Sequence, residues 1–371
     1  MRKTGLNAHC PCGSRKKYKK CCMPQDERKS RSADFSIAGP AVLVPPPQAS
    51  DPRSTRSSGL TAYVVAKIFA ESEEFARMKK EDSARAALFW TRDRVSGLTT
   101  VEIVTRLGDI GVDGSQEAFV PLTEARTEAW DVSEAWRRGA RTERSRFDQD
   151  FLGLAACELW KRYCPENPSI EMLDDWMQEG YRLVAERAVE QACDWWQEVW
   201  DVIRPRLQAR MRTCDEASVV FTGTQCLFNW VQDFAEAVQH AAHKAQRYGA
   251  MGARFCREIL GQFTGEDDLF RNNFRADLGE LHFLAGQDAE GERVLLDLIA
   301  DHPDRSQGYA RLSDMFSCGA NPGSPPRDLP RAIRILEEAL ARPVADVADY
   351  DLALRLEDLR EEGMAHGLVS P

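Results

Sequence analysis

The chain lacks the features that mark a membrane protein, a secreted protein or a nucleotide-driven motor. No apolar run approaches the roughly 18 residues of a membrane-spanning helix, and no apolar core follows Arg2 and Lys3 as it would in a secretory signal. No glycine-rich loop ends in Gly-Lys-Ser or Gly-Lys-Thr, so a P-loop ATPase is not expected. We therefore expect a cytoplasmic protein with no membrane span.

Histidine is also scarce, with 6 residues in a chain of 371. General acid and base chemistry relies most often on histidine, and no Ser-His-Asp, Cys-His or nucleophile-elbow arrangement is evident. His240 and His243 lie one helical turn apart without a further ligand at helical spacing, so we interpret them as surface histidines. Four carboxylates lie on predicted helices, namely Asp174, Asp175, Glu198 and Asp201. They would form a metal-dependent hydrolase site only if their helices pack together. Exposure of these side chains on solvated helix faces is the simpler explanation. Enzymatic activity is left open, and a non-catalytic role is favoured.

The central part of the chain has a helical pattern. Hydrophobic residues make up 43% of the chain and charged residues 29%, which is typical of a globular protein. From Leu60 onward apolar residues recur at spacings of three and four, which predicts a mainly α fold and a helical domain over residues 60–265. Ser169 is predicted to cap one helix, and another long helix is expected from about Tyr181. We expect the tryptophans of that helix to pack in the core, namely Trp195, Trp196 and Trp200. We expect three glycines further upstream to form turns, namely Gly108, Gly111 and Gly114.

Residues 266–371 can be aligned with the 34-residue tetratricopeptide pattern of paired helices. One repeat starts at Asn272 and the next at Ser306, and the second needs seven extra residues in its Pro- and Gly-rich connection. Small residues are required where two helices of a pair cross closely, and they occupy these positions in both repeats: Gly279 and Gly291 in the first, Ser313 and Ala332 in the second. We therefore predict tetratricopeptide-like helical hairpins in this region.

Charge divides the chain into a basic N-terminal part and an acidic remainder. Residues 1–32 contain ten Arg or Lys against Asp26 and Glu27, which gives +8, and the whole-chain charge of −10 leaves −18 for the rest. Residues 33–59 are rich in Pro and Ser and have no clear periodicity, so we predict a flexible linker that spans roughly 30 Å. The two ends of the chain are expected to meet different partners.

The basic part contains a compact cluster of four cysteines, in the order Cys10-Pro-Cys12-Gly-Ser, then Arg-Lys-Lys-Tyr-Lys-Lys, then Cys21-Cys22. Four thiolates at this spacing can surround Zn²⁺ tetrahedrally, and so short a segment would depend on the metal for its folding. Disulfides are the alternative, but adjacent cysteines are poor partners for each other and a reducing compartment is expected. The spacing thus predicts a zinc-binding module over residues 1–32. His9 could replace one thiolate.

This segment resembles the SEC-C motif, a zinc-binding tail of the preprotein-translocase ATPase that is appended to many other bacterial proteins. The resemblance implies that Cys10, Cys12, Cys21 and Cys22 are the zinc ligands. It also implies a docking module, because in the translocase the motif binds an acidic export chaperone and contacts ribosomes. The sequence departs from the pattern at Arg15, where Gly is common, and at Cys22, where the translocase has His. The expected partner-binding residues are Arg15, Lys16, Lys17, Tyr18, Lys19 and Lys20.

The sequence therefore predicts a zinc-binding adaptor in which a basic head and a helical body each bind a protein partner, such as an acidic chaperone or a ribosome-associated factor. Two weak contacts joined by a linker bind more tightly than either contact alone. One alternative is RNA binding through the basic head, which would depend steeply on salt. The other alternative is a metal-dependent enzyme hidden in the central helical domain.

Overall fold

The computed structural model describes residues 59–138, 145–221, 223–318 and 326–368. These ranges form α-helices and one short 3-10 helix, Arg204–Arg206, without a strand, which confirms the mainly α class. The first ten α-helices are α1 (Gly59–Glu71), α2 (Glu73–Glu81), α3 (Ser83–Ala86), α4 (Arg92–Ser96), α5 (Thr100–Asp109), α6 (Gln116–Thr123), α7 (Ala129–Arg138), α8 (Arg146–Tyr163), α9 (Ile170–Ala185) and α10 (Val189–Ile203). The others are α11 (Cys214–Ala217), α12 (Leu227–Ala242), α13 (Gln246–Gln262), α14 (Asp268–Leu284), α15 (Asp288–Asp301), α16 (Ser306–Ser317), α17 (Leu329–Leu340) and α18 (Leu352–Ala365).

Polar side chains fix where several helices begin. Ser169 accepts a hydrogen bond from the backbone N–H of Met172, so the predicted cap of α9 is confirmed. Thr99 and Glu102 form a reciprocal capping box at the start of α5, and Asp267 caps α14. These contacts satisfy backbone donors that have no partner inside the helix.

From α12 onward, consecutive helices pack as hairpins, namely α12 with α13, α14 with α15, and α16 with α17, and α18 packs on the last of them. The first helices of neighbouring hairpins, α12, α14 and α16, also contact each other in order, and α16 contacts α18. The second helices, α13, α15 and α17, approach each other less closely. The array therefore curves toward the side formed by α12, α14, α16 and α18, which we call the inner face.

Small residues lie at the helix crossings of two hairpins. A Cβ atom added to Gly279 of α14 would lie 2.6 Å from Leu295 Cγ, and one added to Gly291 of α15 would lie 2.7 Å from the Gly279 carbonyl oxygen. In the next hairpin the Ser313 hydroxyl donates to the Ala332 carbonyl oxygen at 3.1 Å. The predicted small positions are thus the close contacts of α14 with α15 and of α16 with α17. Whether the hairpins belong to the tetratricopeptide class stays a prediction.

Aromatic side chains fill the core between α10, α12 and α13. Trp196 and Trp200 are fully buried, as predicted, and the Trp200 and Phe255 rings have centroids 5.2 Å apart. The same core includes Trp230 and Phe234, and it belongs to one hydrophobic cluster that extends from Tyr63 to Val294. The prediction that Trp195 is a core residue is wrong. Trp195 is 38% exposed, with its ring centroid 6.0 Å from that of Trp176, because it lies on the outer side of α10.

Two further predictions about local structure need correction. The long helix expected from Tyr181 is instead divided, since α9 ends at Ala185 and α10 begins at Val189. Arg187 adopts a positive φ of 65° there, and the Ala188 N–H bonds back to the Leu183 carbonyl, which ends α9. Gly111 has the predicted turn conformation with φ 74°, but Gly108 lies within the last turn of α5.

None of the described helices combines the length and the apolar character that crossing a membrane needs. The hydrophobic cluster that starts at Tyr63 continues through Phe270 and Leu284 into α15. Two smaller clusters lie under α16, α17 and α18. The predicted boundary between residues 60–265 and 266–371 therefore falls inside one packed core, and it stays a prediction.

Candidate binding surface

The residues with the most specific predicted chemistry lie outside the described ranges. These are the predicted zinc ligands Cys10, Cys12, Cys21 and Cys22, and the basic residues Arg15, Lys16, Lys17, Tyr18, Lys19 and Lys20. The four thiolates remain a suitable donor set for Zn²⁺ by their chemistry. Across the described ranges, no group of three or more His, Cys, Asp or Glu side chains is arranged to hold a metal ion.

The four central carboxylates considered as a hydrolase site each have a different environment. Asp174 accepts hydrogen bonds from the Thr224 N–H and hydroxyl, at 2.6 and 2.7 Å. Asp175 forms an ion pair with Arg92 and accepts a hydrogen bond from the Tyr63 hydroxyl. Glu198 and Asp201 are exposed on α10. The structure therefore does not bring these carboxylates together at one site.

A chain of charged side chains crosses the inner face of the helical array. We call it the charge ladder, and it consists of His243 at the C-terminal end of α12, Asp277 and Glu280 on α14, Arg311 and Asp314 on α16, and Arg355 on α18. Arg311 pairs with both acids of α14, and its Nη2 lies 3.3 Å from Asp277 Oδ1. His243 Nε2 lies 3.4 Å from Glu280 Oε1, and Arg355 Nη1 donates to Asp314 at 2.6 Å. Polar contacts thus link each inner helix to the next, and those from α14 to α16 and from α16 to α18 are ion pairs.

The ladder is only partly open to solvent. Glu280 has 7% of its side-chain surface exposed and Asp277 has 16%, whereas Arg311, Asp314, Arg355 and His243 are each exposed by about a third or slightly more. Asp277 and Glu280 therefore form the floor of the surface, whereas Arg311, Asp314, Arg355 and His243 are partly accessible to a partner.

Burial and charge act in opposite directions on the ladder carboxyls. Burial raises the pKa of Asp277 to about 6, against the opposing effects of Arg311 and Gln239. Burial also raises the pKa of Asp314, although Arg355 opposes it. For Glu280, burial is outweighed by the hydrogen bond to His243 and the charge of Arg311, so the pKa is lowered. The ladder therefore holds one carboxyl that protonates close to neutral pH beside one that stays ionised.

Glu236 of α12 also acts on the ladder, because its charge contributes to the raised pKa of Asp277. Its own side chain is 62% exposed. Burial raises the pKa of Glu236, with a further contribution from Asp233.

The two histidines singled out in the sequence take different roles. His240 Nε2 lies 3.9 Å from Glu236 on the same helix, whereas His243 reaches Glu280 on α14. They face different carboxylates and do not form a metal pair. The interpretation as surface histidines fits His240, which is 51% exposed, but His243 also belongs to the charge ladder.

The sequence analysis did not identify the ladder, although the repeat spacing contained a signal. Arg311 lies 34 residues after its partner Asp277, and Gln307 lies 34 residues after Asn273, to which it donates at 2.7 Å. Arg355 lies 41 residues after Asp314, which is the repeat length with the seven-residue insertion. Polar residues at matching positions of adjacent repeats are candidates for contact on one face.

Comparison with known families identifies the N-terminal segment. The family model of the SEC-C motif matches residues 7–24, which contain all four predicted ligands. No curated protein and no solved structure matches the chain. The match covers a small part of the sequence, so it supports the motif and leaves the helical body to be interpreted from its own geometry.

Proposed function

We propose that this chain is a non-catalytic, cytoplasmic, bacterial adaptor that binds protein partners through a zinc-held basic head and a helical-repeat body. The observation that carries the proposal is the SEC-C motif match at residues 7–24. SEC-C motifs commonly bind zinc, and here Cys10, Cys12, Cys21 and Cys22 would hold the ion. The zinc would fix the fold of a segment too short to have a core. Residues 15–20 would then contact an acidic partner.

The helical body supports the second half of this proposal. Its inner face is curved, carries the charge ladder, and has exposed portions of Arg311 and Arg355. Helical-hairpin arrays offer such faces for extended contacts with other proteins. We propose a head at residues 1–32, a linker at 33–59, a central helical domain at 60–265 and tetratricopeptide-like hairpins at 266–371. The linker lets both contacts form on one partner complex, which raises the total affinity.

Zinc content and partner capture test the proposal together. The intact chain and a Cys21→Ser, Cys22→Ser variant are purified and compared for zinc by mass spectrometry, and for proteins that they retain from a bacterial lysate. The matched control is Cys226→Ser, Cys318→Ser, because both thiols are exposed in the body and free. We expect one zinc per chain in the intact protein and the control, and loss of zinc and of head-dependent partners in the variant. Equal recovery of the same proteins by all three would refute the docking role of the head.

RNA binding through the head is a second candidate, favoured by the ten Arg and Lys of residues 1–32. Lysines that neutralise phosphates make affinity fall steeply as salt is raised, in proportion to the number of contacts. The captured material is therefore treated with ribonuclease and eluted over a salt series. Retention that survives ribonuclease supports the adaptor, and retention that ribonuclease abolishes supports the RNA-binding candidate.

A further inference from the structure

A cleft of about 180 Å³ lies between α1 and α8, and its lining residues precede those of the charge ladder in the chain. Helix α1 packs on α4 and α7, and α4 packs on α8, so α4 forms a third wall. Tyr63 and Lys67 contribute from α1, and Cys157 and Lys161 from α8, each pair at a spacing of four residues that places it on one helical face. The volume is below the roughly 300–1,000 Å³ of sites for drug-sized ligands, so only a small molecule fits.

Two lining residues of the cleft, Tyr63 and Arg92, both contact Asp175, which lies behind the lining. The Tyr63 hydroxyl donates to Asp175 at 2.7 Å, and Arg92 forms two hydrogen bonds to the same carboxylate. The Arg92 guanidinium also lies over the Tyr63 ring, 4.7 Å from its centroid. The donors of Arg92 and Tyr63 that face Asp175 therefore already form hydrogen bonds within the protein. A ligand would have to be recognised by the other charged groups of the lining.

Two ammonium groups of the lining have unused hydrogen-bond donors. Lys67 has no carboxylate within ion-pair distance in the part of the chain that the structure describes. Lys161 Nζ forms an ion pair with Glu158 Oε2 at 3.9 Å, which is beyond hydrogen-bond distance, and Glu158 Oε1 accepts from Arg162 Nε at 3.0 Å. These ammonium groups stand on α1 and α8, on the two sides of the cleft.

Two carboxylates of the lining have no cationic partner among the residues that the structure describes. Within the described ranges neither Glu71 of α1 nor Asp93 of α4 forms an ion pair. The whole lining contains three cations and three carboxylates, since Arg92 and Glu158 complete the set. A polyanion such as a nucleotide would meet these carboxylates and lose affinity. A ligand that carries one charge of each sign would use both sets of groups.

We propose that this cleft binds a small zwitterion of the α-amino-acid class, with the ligand carboxylate at Lys67 and Lys161 and the ligand ammonium at Glu71 and Asp93. This goes beyond the adaptor function, because neither the zinc head nor the inner face takes part in it. The adaptor could therefore fail its own test while the cleft still binds its ligand, and the reverse also holds.

Isothermal titration of the full chain with a panel of the common α-amino acids tests the proposal, with acetate and ethylammonium as ligands that carry one charge only. We expect saturable one-to-one binding of at least one amino acid, and binding at least ten-fold weaker for both single-charge ligands. Absence of saturable binding across the panel would overturn the proposal, and so would equally tight binding of acetate.

Substitutions of lining residues test whether the ligand binds at the cleft. Lys67→Met and Lys161→Met should each weaken binding about ten-fold or more, because a charge-assisted hydrogen bond is lost. Lys80→Met on the exposed surface of α2 is the matched control and should bind as the unchanged protein does. Ala70→Leu adds bulk to the cleft wall without removing a charge and should also abolish binding. Binding that persists unchanged in all three cleft variants, with their helical circular dichroism intact, would refute the assignment.

Discussion

Replacement of Asp277 by Asn is expected to stabilise the protein at pH 7.5. Burial raises the pKa of this carboxyl to about 6 from an ordinary value of 3.8, so its ionisation opposes folding even beside Arg311. Between these pH values the folded state binds more protons than the unfolded state, and the free energy of unfolding therefore falls as the pH rises. A shift of about two pKa units corresponds to about 3 kcal/mol once the group is fully ionised. Asn keeps the shape of the protonated carboxyl and does not ionise.

Urea unfolding of both proteins between pH 4 and 8, followed by tryptophan fluorescence, measures this effect. The Asp277→Asn variant should be about 3 kcal/mol more stable at pH 7.5, and the difference should shrink toward zero near pH 4. Comparing the two proteins at each pH largely cancels the contribution that Glu236, Glu280 and Asp314 make to the pH dependence of the free energy of unfolding, because both proteins contain them. Asp301→Asn is the matched control, since that carboxylate is 61% exposed at the end of α15. A difference that does not change with pH, or greater stability of the unchanged protein at pH 7.5, would refute the reasoning, because attraction to Arg311 would then outweigh burial.

Four other substitutions test the packing, each by urea unfolding at neutral pH. Gly279→Ala should lower the free energy of unfolding by about 1–3 kcal/mol, because its Cβ would lie 2.6 Å from Leu295 Cγ. Gly261→Ala, where a Cβ meets nothing within 4 Å, should instead raise it by up to about 1 kcal/mol, and equal effects at both positions would contradict the close crossing. Ser169→Ala should cost about 1 kcal/mol through loss of the α9 cap, and no change would show that the cap does not stabilise the helix. Tyr63→Phe should cost about 1–2 kcal/mol because Asp175 loses a donor, and an unchanged midpoint would show that Arg92 alone satisfies that carboxylate.

Local patterns were sufficient for the predictions that proved correct. The mainly α class follows from apolar spacing, which depends only on the helical repeat. The cap at Ser169 follows from a short polar residue before an apolar run, and the burial of Trp196 and Trp200 from their spacing of four residues. Trp195 differs because adjacent positions on a helix point about 100° apart, so one residue of a neighbouring pair is directed away from the core. Only the packing of α9 and α10 determines which residue that is.

The break between α9 and α10 could not be predicted from local residue types. The residues Glu186, Arg187 and Ala188 include neither Gly nor Pro, the usual signals that a helix ends. Arg187 nevertheless adopts a left-handed conformation, which costs on the order of 1 kcal/mol for a residue with a side chain. The compensation is tertiary, because the turn lets α9 and α10 fold back on each other and bury Met177, Leu183 and Trp196 in one hydrophobic cluster. Long-range packing therefore outweighs the local conformational preference of Arg187 at this turn.

The charge ladder could also be predicted only in part from the sequence. Asp277 and Arg311 occupy equivalent positions of adjacent hairpins, so their 34-residue spacing predicts that they can be neighbours. The spacing does not predict that Arg311 also reaches Glu280, or that burial keeps one of the two acids protonatable near neutral pH. Those properties depend on how closely α14 and α16 approach each other and on how deeply the acids are buried, and the spacing of residues along the chain gives neither.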